Sequence, residues 1–209
     1  MSGRTPLPSI TSRYVVLQRE NIDTDQIIPA RFLKTTERSG LGSALFHDWR
    51  HDTDGSPSPD FPLNRAEAKG AEILVAGRNF GCGSSREHAV WALRGAGFRA
   101  VISSQFADIF RQNALSNGLL PVQVEEDALA GLVRAEGWSP SLTVDLATQT
   151  LTLPDGSAVK FPVPAFARYC LLHGIDELDY LLQARDDMSV YEVRHPARVN
   201  TAAKARSAS

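Results

Sequence analysis

Ile73-Leu74-Val75-Ala76, Gly77-Arg78-Asn79-Phe80 and Gly81-Cys82-Gly83-Ser84-Ser85-Arg86-Glu87-His88-Ala89 run consecutively, and their reading decides the fold. The apolar run is short and bounded by turn residues, so it reads as a buried strand over 72–76. Gly81 and Gly83 punctuate a tight turn. Beyond it, Ala89, Val90, Ala92, Leu93 and Ala96 recur at helical spacing. They predict a helix from about 85 to 95 with those side chains toward the core, ended by Gly95 and Gly97. A strand, a glycine-rich turn and a helix start thus converge on the hydroxyls of Ser84 and Ser85 and the guanidinium of Arg86. Main-chain N–H groups at such a start are unpaired and the helix dipole is positive there, so anions bind readily. Glycines allow a ligand close to the main chain. The stretch predicts a site for a carboxylate or phosphate.

Each side chain there has two readings. Ser84 with Glu87 three residues later is also a capping box, which satisfies two orphan donors and implies no chemistry. Arg86 in the first turn opposes the macrodipole, at a cost of up to about 1 kcal/mol unless an anion compensates. A bound carboxylate gripped bidentately would compensate it, and so would Glu87. Cys82 near a helix N-terminus fits either an activated thiol or a small side chain in a crowded turn. His88 reads either as packing or hydrogen-bonding below the helix start or as a catalytic histidine.

Working outward, Arg13 to Leu17 reads as a first strand. The stretch from Asn21 to about Asn64 reads as mostly irregular, with a polar, turn-rich centre at 51–60. A loop of that length in a compact domain is functional or disordered, and residues 35–64 are expected to form a flexible flap. Ala100-Val101-Ile102 reads as a buried strand, 105–116 as a helix ended by Asn117-Gly118, and Val122-Gln123-Val124 as a short extended piece. A helix near 126–135, ended by Gly137, follows. The β-α-β-α-β order implies an α/β fold, a mixed, largely parallel sheet covered by helices. Residues 141–161 alternate as two or three strands around Asp155-Gly156, an added β-hairpin region. Asp176 to Leu182 starts a terminal helix. Residues 1–195 are expected to form one domain and 196–209 a frayed basic tail.

Composition bounds the function. The 209 residues suffice for one sizeable core. A formal net charge of −2 gives no drive toward nucleic acid or anionic membrane, so neither is expected as a partner. No apolar run approaches the roughly 20 residues needed to span a bilayer, and the first residues lack a signal-peptide core, so the chain is expected to be cytoplasmic. It has 2 cysteines, Cys82 and Cys170, and no Cys-x-x-Cys pair, which argues against a disulfide framework.

Four ordered segments carry a family resemblance. Asn21-Ile22-Asp23-Thr24-Asp25-Gln26-Ile27-Ile28-Pro29-Ala30 runs into Arg31-Phe32-Leu33-Lys34. Phe46-His47-Asp48-Trp49-Arg50 follows. Ala76-Gly77-Arg78-Asn79-Phe80 leads into the glycine-serine turn, and Phe106-Ala107-Asp108-Ile109-Phe110-Arg111-Gln112-Asn113 leads to Asn117-Gly118-Leu119-Leu120-Pro121. Together they span about 13–124, with an echo at Phe166-Ala167-Arg168-Tyr169-Cys170-Leu171-Leu172. With them the chain resembles the swivelling β/β/α domain of the aconitase superfamily, and more narrowly the small subunits of 3-isopropylmalate dehydratases.

The resemblance implies a hydro-lyase of leucine biosynthesis that dehydrates and rehydrates a dicarboxylate. It implies Ser84 as general base, Asp25 as a further acidic active-site residue, and Ser85 and Arg86 as binders of substrate carboxylate. Asp25 also reads as an Asx-turn residue before Ile27. After Lys34 the chain departs from aconitase, which has an arginine there for a third carboxylate. Here Thr35-Thr36-Glu37 stand instead, which favours a hydrocarbon branch on the substrate and places Lys34 and Thr35 among the substrate-binding residues. The family's [4Fe–4S] cluster needs several thiolates. Two cysteines do not supply them, so the resemblance implies a cluster-bearing large subunit as partner and no metal held by this chain. The alternatives are a related hydro-lyase for citraconate/methylmalate or homoaconitate, a non-catalytic anion-binding domain, and a thiol enzyme using Cys82.

Overall fold

Parallel strands carry the glycine turn. In the computed structural model, which describes residues 4–33, 40–134 and 141–195, the chain begins with β1 (Ser9–Ser12) and β2 (Tyr14–Leu17). Two short helices follow, α1 (Thr24–Ile27) and α2 (His47–Arg50). An alternating series comes next: β3 (Ile73–Ala76), α3 (Glu87–Gly95), β4 (Ala100–Ser103), α4 (Asp108–Ser116), β5 (Leu120–Gln123) and α5 (Glu126–Arg134). Then β6 (Leu142–Asp145), β7 (Thr150–Thr152) and β8 (Ala158–Lys160) precede α6 (Ala165–His173), α7 (Glu177–Gln183) and α8 (Arg185–Arg194).

Among the described residues the strands form two four-stranded sheets. One is parallel, in the order β2-β3-β4-β5, with Val15 opposite Leu74, Leu74 opposite Val101 and Ile102 opposite Val122. The other is antiparallel, in the order β1-β6-β7-β8, with Ile10 opposite Val144 and Val144 opposite Leu151. The expected mixed sheet with an added hairpin is therefore two separate sheets. The parallel sheet is buried on both faces, which is why its strands read as continuous apolar runs. Val15, Leu17, Leu74, Ala76 and Val101 pack against α1, α3, α4 and the 41–46 segment. The alternate residues Tyr14, Ile73, Val75, Ala100 and Ile102 pack against Ile10, Leu142, Val144 and Leu151 of the second sheet and against α5. The layers are sheet, sheet and helices, the β/β/α order implied by the resemblance. Pro121 cannot donate to a ladder, and β5 accordingly lies at an edge.

The structure corrects some local readings. α3 starts at Glu87, and Ala96 lies just past its end, exposed. Residues 40–64 are not a free flap: Leu41, Ala44, Leu45, Phe46 and Phe61 are core residues, and Leu45 and Phe46 are fully buried. β1, α6 and α8 were not expected. The predicted stop at Gly137 and the tail 196–209 lie outside the described residues.

Candidate functional site

The turn after β3 is built by continuing the parallel pairing beyond the sheet. Asn21 N–H donates to Arg78 C=O, Gly81 N–H to Ile22 C=O and Thr24 N–H to Cys82 C=O, each at 2.8 Å. On the other flank Phe80 N–H donates to Gln105 C=O and Ala107 N–H to Phe80 C=O, both at 3.0 Å. The segments leaving the C-terminal ends of β2, β3 and β4 are thereby held side by side. Gly81 and Gly83 have φ of +78° and +88°. A Cβ on Gly81 would enter the Phe110 ring, and one on Gly83 would enter the Asp23 carboxylate. Both positions require glycine for backbone sign and for space.

The capping reading of Ser84 does not hold. Arg86 is the N-cap of α3 and no side chain caps it. Glu87 accepts a 3.0 Å bond from Asn117 Nδ2, so it is turned toward the end of α4. Ser84 and Ser85 are exposed, with their main chain fixed from either side. Thr24 Oγ1 bonds the Ser84 peptide groups, and Asn113 Nδ2 donates to Ser85 C=O at 3.4 Å.

Asp25 and Arg86 come together as an ion pair across the gap between α1 and α3. Asp25 does not form the Asx-turn. Asp23 caps α1 instead, accepting from Asp25 N–H at 2.6 Å, while Asp23 N–H donates to Gln26 Oε1 at 2.9 Å. That capping box, legible as Asp-x-x-Gln, points the Asp25 carboxylate outward toward Arg86. Cys82 is half-buried, and burial and then the Asp23 charge push its thiol above the ordinary range. This is the opposite of an activated nucleophile. His88 lies against Trp91, ring centroids 4.6 Å apart, as a packing residue.

Lys34 and Thr35 lie outside the described residues. The chain on either side of 34–39 is tied together: Arg31 pairs with the Asp48 carboxylate and bonds His47 Nδ1 at 2.9 Å. Cys82 stands in the turn and Cys170 in α6. Among the described residues no group of three or more His, Cys, Asp or Glu side chains could hold a metal ion. The described residues therefore offer no set of ligands that fits an iron–sulfur cluster. Also among the described residues, no helix is long and apolar enough to cross a membrane. Sequence reasoning missed Thr24, Asn113 and the wall formed by Phe110. The Asp23–Gln26 box was the available signal for the first of these, because it sets Thr24 as the first residue of α1.

With this geometry in hand, similarity to known proteins becomes specific. Residues 11–127 match the aconitase C-terminal domain family. Over 198 residues the chain is 59% identical to a 3-isopropylmalate dehydratase small subunit of Chloroflexus aurantiacus, covering 94% of this chain and 98% of that one. It is 63% identical over 187 residues to the protein of that name from Anaeromyxobacter dehalogenans, covering 90% and 97%. A crystal structure of 3-isopropylmalate dehydratase from Methanocaldococcus jannaschii superimposes with a TM-score of 0.64 at 30% identity, covering 88% of this chain and 99% of that one. The chain belongs to the 3-isopropylmalate dehydratase small subunits, hydro-lyases of the aconitase superfamily.

Proposed function

We propose that this chain is the small subunit of an isopropylmalate isomerase, interconverting 2- and 3-isopropylmalate in leucine biosynthesis by dehydration and rehydration. The observation that carries the reading is the exposed Ser84–Ser85 pair beside Arg86, on a turn whose backbone is over-determined by its neighbours. Ser84 accepts the proton removed next to a substrate carboxylate. A free serine hydroxyl is a poor base at neutral pH, and the start of α3, the turn N–H groups and Arg86 stabilise its oxyanion. Arg86 grips the carboxylate bidentately with Ser85 beside it, and Asp25 fixes the plane of the guanidinium. In this reading Lys34 and Thr35 are further substrate-binding residues.

The chain supplies half of a centre. Its 2 cysteines assemble no cluster site, so the [4Fe–4S] cluster of the aconitase chemistry is assigned to the large subunit. The complex works in the cytoplasm on a small dicarboxylate.

Reconstitution tests this. The chain combined with a cluster-bearing large subunit is expected to interconvert the two isopropylmalates, faster than it processes methylmalate–citraconate or homoaconitate. Ser84→Ala is expected to lower kcat by about 10²–10⁴-fold with substrate binding kept. A near-parent rate in that variant removes the base assignment, and a preference for another substrate of the panel reassigns the branch.

A further inference from the structure

We infer that Thr24 is a positioning residue for the Ser84 centre, its single hydroxyl setting the backbone, and so the side-chain direction, of the serine. The inference rests on the reading of Ser84 as base. Thr24 is 1% exposed, one of the few buried polar residues among those described, and it is the first residue of α1. Its Oγ1 accepts from Ser84 N–H and donates to Ser84 C=O, both at 3.1 Å, across 60 positions of sequence.

The neighbouring main chain explains why a side chain does this. The pairing of 21–24 with 78–82 runs backbone to backbone up to Thr24 N–H on Cys82 C=O. There the chain winds into α1, and Thr24 C=O is taken by Ile28 N–H at 3.0 Å. The next rung finds no main-chain partner on the α1 side: Ser84 C=O accepts from Arg86 N–H at 2.8 Å within its own turn, and the Thr24 hydroxyl supplies the contact from α1 at both Ser84 groups. Ser84 follows directly on Gly83, a left-handed glycine with few conformational restraints of its own. The direction of the Ser84 Cα–Cβ bond is therefore fixed by the Thr24 hydroxyl from outside the turn together with the Arg86 N–H bond within it. Threonine suits the task because branching at Cβ restricts χ1 and so limits the directions the hydroxyl can take.

Thr24→Val keeps the shape and removes the hydroxyl; Thr24→Ser keeps the hydroxyl and removes the methyl. Both are assayed in the complex with the large subunit, with kcat expressed per assembled complex isolated by gel filtration. Misplacing a reacting group by about 1 Å costs on the order of 10²-fold in rate. The valine variant is therefore expected to lose about 10–100-fold in kcat with KM within about threefold of the parent. The serine variant is expected to stay within about threefold in kcat on the same scale. If the valine variant does not assemble, Thr24→Ala against Thr24→Ser carries the same comparison. A hydroxyl-free variant with parent kcat, or a loss that serine fails to rescue, overturns the inference. Ser84→Ala run alongside separates the two levels. A fully active Ser84→Ala sinks the base reading itself, whereas an inactive one beside an unimpaired Thr24→Val sinks only the role of Thr24.

Discussion

The Arg86 guanidinium, N-cap of α3, is paired with the Asp25 carboxylate in the first turn of α1. A cation at a helix start opposes the dipole; Asp25 pairs with it directly, while Glu87 in the same turn accepts a bond from Asn117. The Arg86 side chain is 26% exposed, so the pair is a partly sheltered one with an open side. Asp25→Asn leaves the volume and removes the charge. It is expected to lower kcat/KM about 10–100-fold in the reconstituted complex, since Arg86 loses its orientation. Arg86→Lys, which loses the planar fork, is expected to lower kcat/KM at least about 100-fold, mainly through KM. Steady-state kinetics on both isopropylmalates check this, and an Asp25→Asn enzyme with parent constants would remove the pair from the site.

Cys82 offers an independent check on the rival thiol chemistry. Burial, and then the Asp23 charge, raise its pKa, so the thiolate fraction at neutral pH is lower than in a free cysteine. Alkylation by iodoacetamide at about pH 7.5 is expected to be slower than for free cysteine and to accelerate only above the ordinary thiol range near 8.5. Cys82→Ala is expected to keep kcat within about threefold in the assembled complex. Rapid modification at neutral pH together with a dead alanine variant would restore the thiol enzyme.

What was legible from sequence divides along physical lines. The strands of the parallel sheet, α3 and α4 carry their own signals, because elements buried on both faces or along one stripe leave apolar runs. The glycine turn was legible for a related reason, since its glycines and hydroxyls are adjacent in the chain. β1 was not: Ser-Ile-Thr-Ser carries alternation in four residues only, and its partner β6 lies far along the chain. The division of the strands between two sheets was equally hidden, being decided by which apolar faces stack rather than by local pattern. α6 had readable ends, Pro164 before it and the left-handed Gly174 after it. α8 has no buried residue and so no stripe to read. The Asp25–Arg86 pair and the Thr24 hydroxyl bond residues 61 and 60 positions apart, and no local pattern reports such contacts.

The 41–44 turn and the end of α3 meet through two glycines, and this contact carries a stability prediction. A Cβ on Gly42 would overlap the Gly95 carbonyl, which is main chain and cannot swing aside. Overpacking of this kind costs about 1–3 kcal/mol. In a chain of this length that corresponds to a fall in Tm of about 3–10 °C for Gly42→Ala, measured by circular dichroism. An unchanged Tm would mean that the 40–46 segment yields freely and is not anchored as the buried Leu45 and Phe46 imply.

The Arg31–Asp48 pair, which joins the chain on either side of residues 34–39, gives the molecule a pH signature. The hydrogen bond from Arg31, opposed by partial burial and aided by the charge of Arg31, holds the Asp48 carboxyl below the usual carboxylate range. A carboxylate whose folded pKa is depressed stabilises the fold above its unfolded value, near 3.9, and loses that contribution as pH falls through the folded value. Both side chains are about half exposed, 52% and 55%, so solvent and salt screen the interaction. Asp48→Asn is therefore expected to have a lower Tm than the parent at about pH 7. The gap should narrow below about pH 4 and narrow again in about 1 M salt at neutral pH. Thermal denaturation of the two proteins across that range decides the matter. A gap that stays constant with pH and salt would show that Asp48 acts through packing rather than charge.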